Sequence, residues 1–167
     1  MSAAAPATAP DRTQERGAKV LPVPPPMYYA AGFTAGMLLR AATVPLTIGA
    51  RPATVVAGAI VVAAGATLAL AGVAAVVRHR TTIVPHHAVS VLLTTGAYRY
   101  SRNPMYAGLA ISYLGGALLA GSWWPLATLP LALLLVRRLV IEPEERYLAN
   151  QFGRTYTDYR ARTRRWL

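Results

Sequence analysis

The feature that most constrains this chain is a run of 33 residues, 104–136, that contains no charged side chain. As one straight helix this run would measure about 50 Å, whereas the hydrocarbon core of a bilayer is roughly 30 Å thick. Near its middle, Gly121-Ser122-Trp123-Trp124-Pro125 supplies a break and two aromatic side chains of the type found at membrane interfaces. We therefore predict two membrane helices joined as a tight helical hairpin.

Two further apolar stretches precede this run. Residues 27–48 are interrupted only by Arg40, and residues 52–77 carry no charge. In the whole chain 14% of residues are charged, compared with about a quarter in a soluble domain. The sequence thus predicts an all-α polytopic membrane protein with four transmembrane helices. Arg40 is costly inside a membrane, so it is either functional, reaches outward to the interface, or marks a helix that tilts or ends early.

The basic residues predict how the helices are oriented. The net charge is +11, and the basic residues cluster in the leader, in the 78–103 loop and in the tail from Arg137. This placement favours lipid headgroups over nucleic acid as the partner, and it predicts both termini and the 78–103 loop in the cytoplasm. Residues 1–26, rich in Ala and Pro, predict a disordered cytoplasmic leader to a domain spanning 27–167, with the final tri-proline forbidding helix. The chain has no cysteine, which excludes disulfides and thiolate chemistry.

Small residues recur at four-residue spacing along the third predicted helix. Gly108, Ser112, Gly116 and Ala120 form one stripe there, and Gly32 and Gly36 form a shorter pair in the first helix. Such stripes let a neighbouring membrane helix approach closely. They predict packing surfaces and indicate no ligand.

Two polar segments hold the residues that are capable of chemistry. In residues 92–108, Gly96 permits a turn, and Pro104 suits the first turn of a helix. Arg102 and Tyr106 would share one face at the start of that helix. The exposed backbone N–H groups of a helix start favour an anion there. In residues 141–167, Pro143 predicts the start of a new cytoplasmic helix that ends near Gly153, followed by a further short helix. Each segment could equally be a basic, aromatic-anchored membrane interface.

The acidic residues are concentrated at the start of the second segment. Glu142, Glu144 and Glu145 are half of all the acidic residues in the chain. Carboxylates stabilise the first turn of a helix, so capping alone would explain them. A pair of carboxylates beside the membrane could also hold a cationic amine.

The two segments together resemble the isoprenylcysteine carboxyl methyltransferase and phospholipid methyltransferase family of integral membrane enzymes. The likeness rests on TTGAYRYSRNPMYAG at 94–108 and EERYLANQFGRTYTDYRARTRRW at 144–166, and it covers roughly residues 50–167. RTTIVP at 80–85 is similar to the bacterial branch, which implies a bacterial-type cytoplasmic membrane.

The resemblance implies that S-adenosylmethionine lies between residues 90–106 and 141–167. Glu144 would pair with its α-ammonium, supported by Glu145. The candidates for a catalytic role are Glu145, His87 and Arg102. The full set of cofactor-binding residues implied is Leu92, Leu93, Tyr98, Asn103, Pro104, Tyr106, Glu144 and Glu145.

The chain also departs from the family pattern. Asn103 and Ser90 stand where the prenylcysteine enzymes have histidine, and Val140 stands where they have the arginine for the substrate carboxylate. Arg137 and Arg138 are nearby but out of register, so prenylcysteine is disfavoured as the substrate. The resemblance implies methyl transfer to another lipophilic or membrane-embedded acceptor at the cytoplasmic face.

Two other functions remain as alternatives. A non-catalytic membrane scaffold would keep the fold without the chemistry, and a small four-helix transporter would need an intramembrane acid that the apolar runs lack. A metal site is not expected, since His86-His87 has neither cysteine nor a neighbouring carboxylate to complete a ligand set.

Overall fold

The computed structural model describes residues 23–79 and 91–167, and in these residues the chain is helical, with no strand. The all-α prediction is therefore confirmed. Ser90, His87 and most of the predicted leader lie outside the described residues. The elements are α1 (Pro25–Ala42), α2 (Arg51–Arg78), a 3₁₀ turn (Gly96–Arg99), α3 (Pro104–Ala120), α4 (Trp123–Val136), a π-helical segment (Arg137–Ile141), α5 (Glu142–Phe152) and α6 (Arg154–Arg162).

The first four helices run antiparallel to their neighbours in sequence. At one end of the bundle, the Tyr29 hydroxyl at the start of α1 donates to the Tyr106 carbonyl at the start of α3, 3.0 Å away. At the other end, Arg40 near the end of α1 donates to the carbonyl of Ala120, the last residue of α3, at 2.6 Å. The first end, which we call the polar end, also carries α5, α6 and the C-terminus.

The position and contact of Arg40 support one of the interpretations left open for this residue. It lies in the last turn of α1, which ends at Ala42, six residues before the apolar stretch does. Its guanidinium satisfies a carbonyl that the end of α3 leaves without a helical partner. Arg40 therefore marks an early helix end.

Glycines bring α2 and α3 into backbone contact. A Cβ placed on Gly65 would lie 2.5 Å from the Ser112 backbone nitrogen, and one on Gly108 would lie 2.5 Å from the Ala69 nitrogen. Ser112 and Gly108 belong to the predicted stripe, whereas Gly116 faces Phe33 of α1 instead. The helices can approach this closely because no side chain stands between them.

The predicted break in the longest apolar run is confirmed at Gly121. This residue adopts φ 60°, which glycine tolerates without steric cost, and it ends α3. The Ser122 hydroxyl then caps the Trp124 nitrogen, so the two tryptophans begin α4 instead of lying in the turn. After this turn, α4 packs mainly against α1, while α3 packs mainly against α2.

Of two sequence predictions about proline, one is wrong and the other holds in part. The tri-proline does not forbid helix, because α1 begins at Pro25 and proline is tolerated in the first turn, where its missing N–H has no helical partner. Pro143 lies in the first turn of α5, as predicted, but α5 follows α4 without a break, since 123–152 runs on as 30 continuous helical residues. A π-helical segment precedes Pro143, and the Glu142 nitrogen bonds to the Arg137 carbonyl five residues back. This wider turn inserts one extra residue into the pattern of backbone hydrogen bonds along the helix.

Among the described residues, two helices are long and apolar enough to cross a membrane, by length and composition: Arg51–Arg78 and the 30-residue helix that begins at Trp123. Helix α3 is apolar but shorter, with 17 residues. The four-span topology and the placement of both termini in the cytoplasm stay predictions.

Candidate active site

A pocket opens at the polar end of the bundle, where the end of α2 and the start of α3 meet α5 and α6. Six of the eight cofactor residues implied by the resemblance line it, together with Arg102. The lining residues are Val76, Val91, Leu92, Leu93, Tyr98, Arg102, Asn103, Glu144, Glu145, Leu148, Tyr156 and Tyr159. One wall is thus apolar, and the facing elements supply two carboxylates and a guanidinium.

Glu144 is a carboxylate with no cationic partner in the part of the chain that the structure describes. Its Oε2 accepts a hydrogen bond from the Tyr106 hydroxyl at 3.2 Å. Burial raises the pKa of Glu144 to about 7, against which the hydrogen bond acts, while the neighbouring Glu145 charge adds to the rise. The ionised form of a buried carboxylate without a cationic partner is strongly stabilised when a cation binds beside it.

Glu145 lies in a different environment, in the middle of an ion triad. Arg165 donates Nε to its Oε1 at 3.0 Å and Nη2 to its Oε2 at 2.7 Å. Arg102 Nη2 lies 3.2 Å from Oε1. The side chains of Arg102 and Glu145 are each only 9% exposed, so this network is largely shielded from water.

Arg102 has unused donors. Its Nε and Nη1 are buried and have no hydrogen-bond partner among residues 23–79 and 91–167. An unpaired buried donor on a charged group is costly, and native structures rarely keep one without a ligand or an ordered water. Because Arg102 lines the pocket, these two nitrogens are suited to a bound anion.

Tyrosines from α6 close the pocket. Tyr156 and Tyr159 are buried, and their rings meet edge to face with centroids 6.3 Å apart. The Tyr159 hydroxyl donates to the Tyr98 carbonyl at 2.6 Å, which fixes the 3₁₀ turn against α6. Burial raises the pKa of Tyr156 and of Tyr159 to about 12, so both hydroxyls remain protonated donors at neutral pH.

Three residues at the start of α3 that were predicted to bind the cofactor make contacts within the protein instead. Pro104 is fully buried and does not line the pocket, and Tyr106 lies behind Glu144 as its hydrogen-bond donor. Asn103 does line it, but its amide Nδ2 donates to the Arg165 carbonyl at 2.9 Å. In this arrangement the amide positions the C-terminus.

The sequence model of the phospholipid methyltransferase family matches residues 53–155, more than half of the chain. The chain belongs to this family. Comparison with curated proteins and with solved structures gives no significant match.

Membership in the phospholipid methyltransferase family, together with the two apolar helices, identifies the chain as a membrane protein of a methyltransferase family. Family members generally use S-adenosylmethionine and act on lipid-like substrates. The matched residues contain the pocket residues from Val76 to Leu148, while Tyr156, Tyr159 and the C-terminal residues lie beyond them.

The arginines near the π-helical segment do not enter the pocket. Arg137 Nε donates to Glu142 Oε1 at 2.9 Å, and Arg138 lies 3.7 Å from Oε2 of the same glutamate. Val140, which stands in place of the prenylcysteine enzymes' arginine, is completely buried. Arg137 instead lines a separate apolar groove, together with Leu133 and Trp166.

Sequence reasoning missed several of the residues that form the pocket. Val76 and Leu148 read as ordinary apolar helix positions, and Arg165 was one of many arginines in a basic tail. Only the three-residue spacing of Tyr156 and Tyr159 after Gly153 could have indicated that α6 presents one aromatic face. Among the described residues, no group of three or more potential metal ligands comes together.

Proposed function

We propose that this phospholipid methyltransferase family member transfers a methyl group from S-adenosylmethionine to a lipid-like acceptor at the cytoplasmic face of the membrane. The observation that supports this most is the polar pairing within one pocket. Within the described part of the chain, Glu144 is a carboxylate without a cationic partner, and Arg102 carries two buried nitrogens without an acceptor. A zwitterionic amino-acid moiety satisfies both groups at once.

The remaining pocket residues fit the rest of such a cofactor. Glu144 would hold the α-ammonium and Arg102 the α-carboxylate, since charge-assisted hydrogen bonds are the strongest available here. Leu92, Leu93 and Leu148 would provide the apolar wall for the adenosine. Glu145, already held by two arginines, acts on the cofactor through Arg102 and not directly.

The bound cofactor would supply an electrophilic methyl group on a sulfonium, which an acceptor atom attacks in line as the sulfur leaves. The protein's contribution to such a step is alignment of the two reactants and exclusion of water. Both carboxylate oxygens of Glu145 are already bound by guanidinium groups, so Glu145 is not placed to take a proton from an acceptor. We therefore propose an acceptor atom that is already nucleophilic, such as a neutral amine or a carboxylate, and an acceptor that reaches the pocket from the membrane.

Two measurements on the detergent-purified protein test this proposal. Calorimetric titration with S-adenosylhomocysteine should detect binding that Glu144→Ala weakens by roughly 2–4 kcal/mol, the scale for losing a desolvated charge partner. Incubation with radiolabelled S-adenosylmethionine and membrane lipid extract should label a lipid-soluble product. A parent protein that neither binds the cofactor nor labels any lipid would support the scaffold alternative instead.

A further inference from the structure

The last four residues, 164–167, form a C-terminal strap across the entry of α3. The Arg102 backbone nitrogen donates to the Arg164 carbonyl at 2.9 Å, and the Asn103 amide donates to the Arg165 carbonyl at 2.9 Å. Trp166 packs against the hydrophobic core of the bundle. The strap is therefore fixed by its backbone and by an apolar anchor, independently of the Arg165 side chain.

The Arg165 side chain reaches from this strap to α5. Its guanidinium engages both oxygens of Glu145 through two parallel hydrogen bonds of 3.0 and 2.7 Å. Arg102 makes a single contact with Glu145, through Nη2 at 3.2 Å. Nε and Nη1 of Arg102 have no hydrogen-bond partner among the residues that the structure describes.

We propose that Arg165 is a positioning residue of this site, which keeps the Arg102 nitrogens available for the carboxylate of the bound cofactor. This inference rests on the proposed function. It assigns a role to a residue that lies outside the 53–155 range matched by the family. The physical basis is competition between two arginines for one carboxylate.

Removal of the Arg165 guanidinium would change the hydrogen-bond contacts of Arg102. A buried carboxylate that loses a bidentate partner gains most by recruiting another, because an unpaired buried charge is strongly destabilising. Arg102 is the nearest available donor, so its guanidinium group would turn towards Glu145. Its free nitrogens would then leave the pocket, and the site would lose affinity specifically for a carboxylate.

The experiment compares two ligands on the full-length protein in detergent. The first is S-adenosylhomocysteine, and the second is decarboxylated S-adenosylhomocysteine, which keeps the ammonium and the adenosine but lacks the carboxylate. Arg165→Met is the test variant, and Arg154→Met is the matched control, since Arg154 is an exposed arginine at the start of α6. Arg165→Lys is a milder variant that keeps the charge but not the two parallel hydrogen bonds.

Arg165→Met should weaken binding of S-adenosylhomocysteine at least tenfold and leave binding of the decarboxylated ligand within twofold of the parent. Arg165→Lys should give an intermediate loss for the first ligand only, and this variant carries the test if the methionine variant does not fold. An equal loss for both ligands, or no loss for either, overturns the positioning role while leaving the proposed function intact. If the parent binds neither ligand, the proposed function itself is wrong, and the inference with it.

Discussion

The Tyr106 hydroxyl donates a hydrogen bond to Glu144 Oε2 at 3.2 Å, joining the first turn of α3 to the helix that follows the π-helical segment. These two residues are 38 positions apart in the chain. Tyr106 is itself held from behind, because its carbonyl accepts the Tyr29 hydroxyl of α1. The orientation of the unpaired carboxylate therefore depends on three helices of the bundle.

Cofactor binding should depend on pH through Glu144. Its pKa is raised to about 7, so the carboxyl is mostly neutral below that pH and must ionise to pair with an ammonium. Affinity for S-adenosylhomocysteine should then fall about tenfold per pH unit between pH 6.5 and 5.5, the slope of one linked proton. Calorimetry at several pH values measures this. The Glu144→Gln variant is the control, because it should bind weakly and show no such slope.

Tyr106→Phe should move this pH dependence upward. The hydrogen bond from Tyr106 stabilises the ionised carboxylate, so its loss raises the pKa of Glu144 further. A bond of about 1 kcal/mol corresponds to a shift of somewhat less than one pKa unit, which lowers the ionised fraction of Glu144, and with it the affinity, about threefold at pH 7. The same titrations check this result. An unchanged profile would mean that the hydroxyl does not influence the carboxylate in solution.

Gly65→Leu should destabilise the bundle. Even a Cβ at this position would lie 2.5 Å from the Ser112 backbone nitrogen, so α2 and α3 must separate. Overpacking of this type costs typically 1–3 kcal/mol, or more where backbone has to move. Thermal unfolding in detergent measures the loss. Ala64→Leu, at the exposed neighbouring position of α2, should leave the melting temperature nearly unchanged.

Asn103→Leu should loosen the C-terminal strap. The lost amide leaves the Arg165 carbonyl without this donor, and a net hydrogen bond is worth about 1 kcal/mol. We expect several-fold to tenfold weaker cofactor binding and faster trimming of the last residues by carboxypeptidase. Asn103→His keeps a donor at this position and should preserve most of the binding. Weaker binding without faster trimming would instead favour direct contact between Asn103 and the cofactor.

Single-cysteine labelling can test the predicted orientation cleanly, since the chain has no native cysteine. Ala50 and Ala161 are both exposed, at opposite ends of the bundle. Ser122, although located in the hairpin turn, is only 1% exposed and is unsuitable. An impermeant thiol reagent should label a cysteine at 50 from outside intact cells and one at 161 only after permeabilisation. The reverse pattern would place the pocket on the other face.

The sequence by itself determined the helical class, the break at Gly121 and the two segments that form the pocket. The reason is that each is a local property. Long uncharged runs can satisfy their backbone in a membrane only as helices or barrels, glycine permits the left-handed turn, and chemistry-bearing side chains stand out against an apolar background. For the same reason, the helix end at Gly153 and the short helix after it could be predicted.

Only the tertiary structure decided how the two glutamates differ. Glu144 and Glu145 are adjacent in sequence, yet one faces Tyr106 across the bundle and the other lies between Arg102 and Arg165. A π-helical turn before them sets the angular position of both, and no local pattern predicts the register of such a turn. The strap that supplies Arg165 depends on contacts across more than 60 residues, so its partner could not be read from the basic tail. Long-range packing thus decides which of the two carboxylates pairs with Arg102 and Arg165.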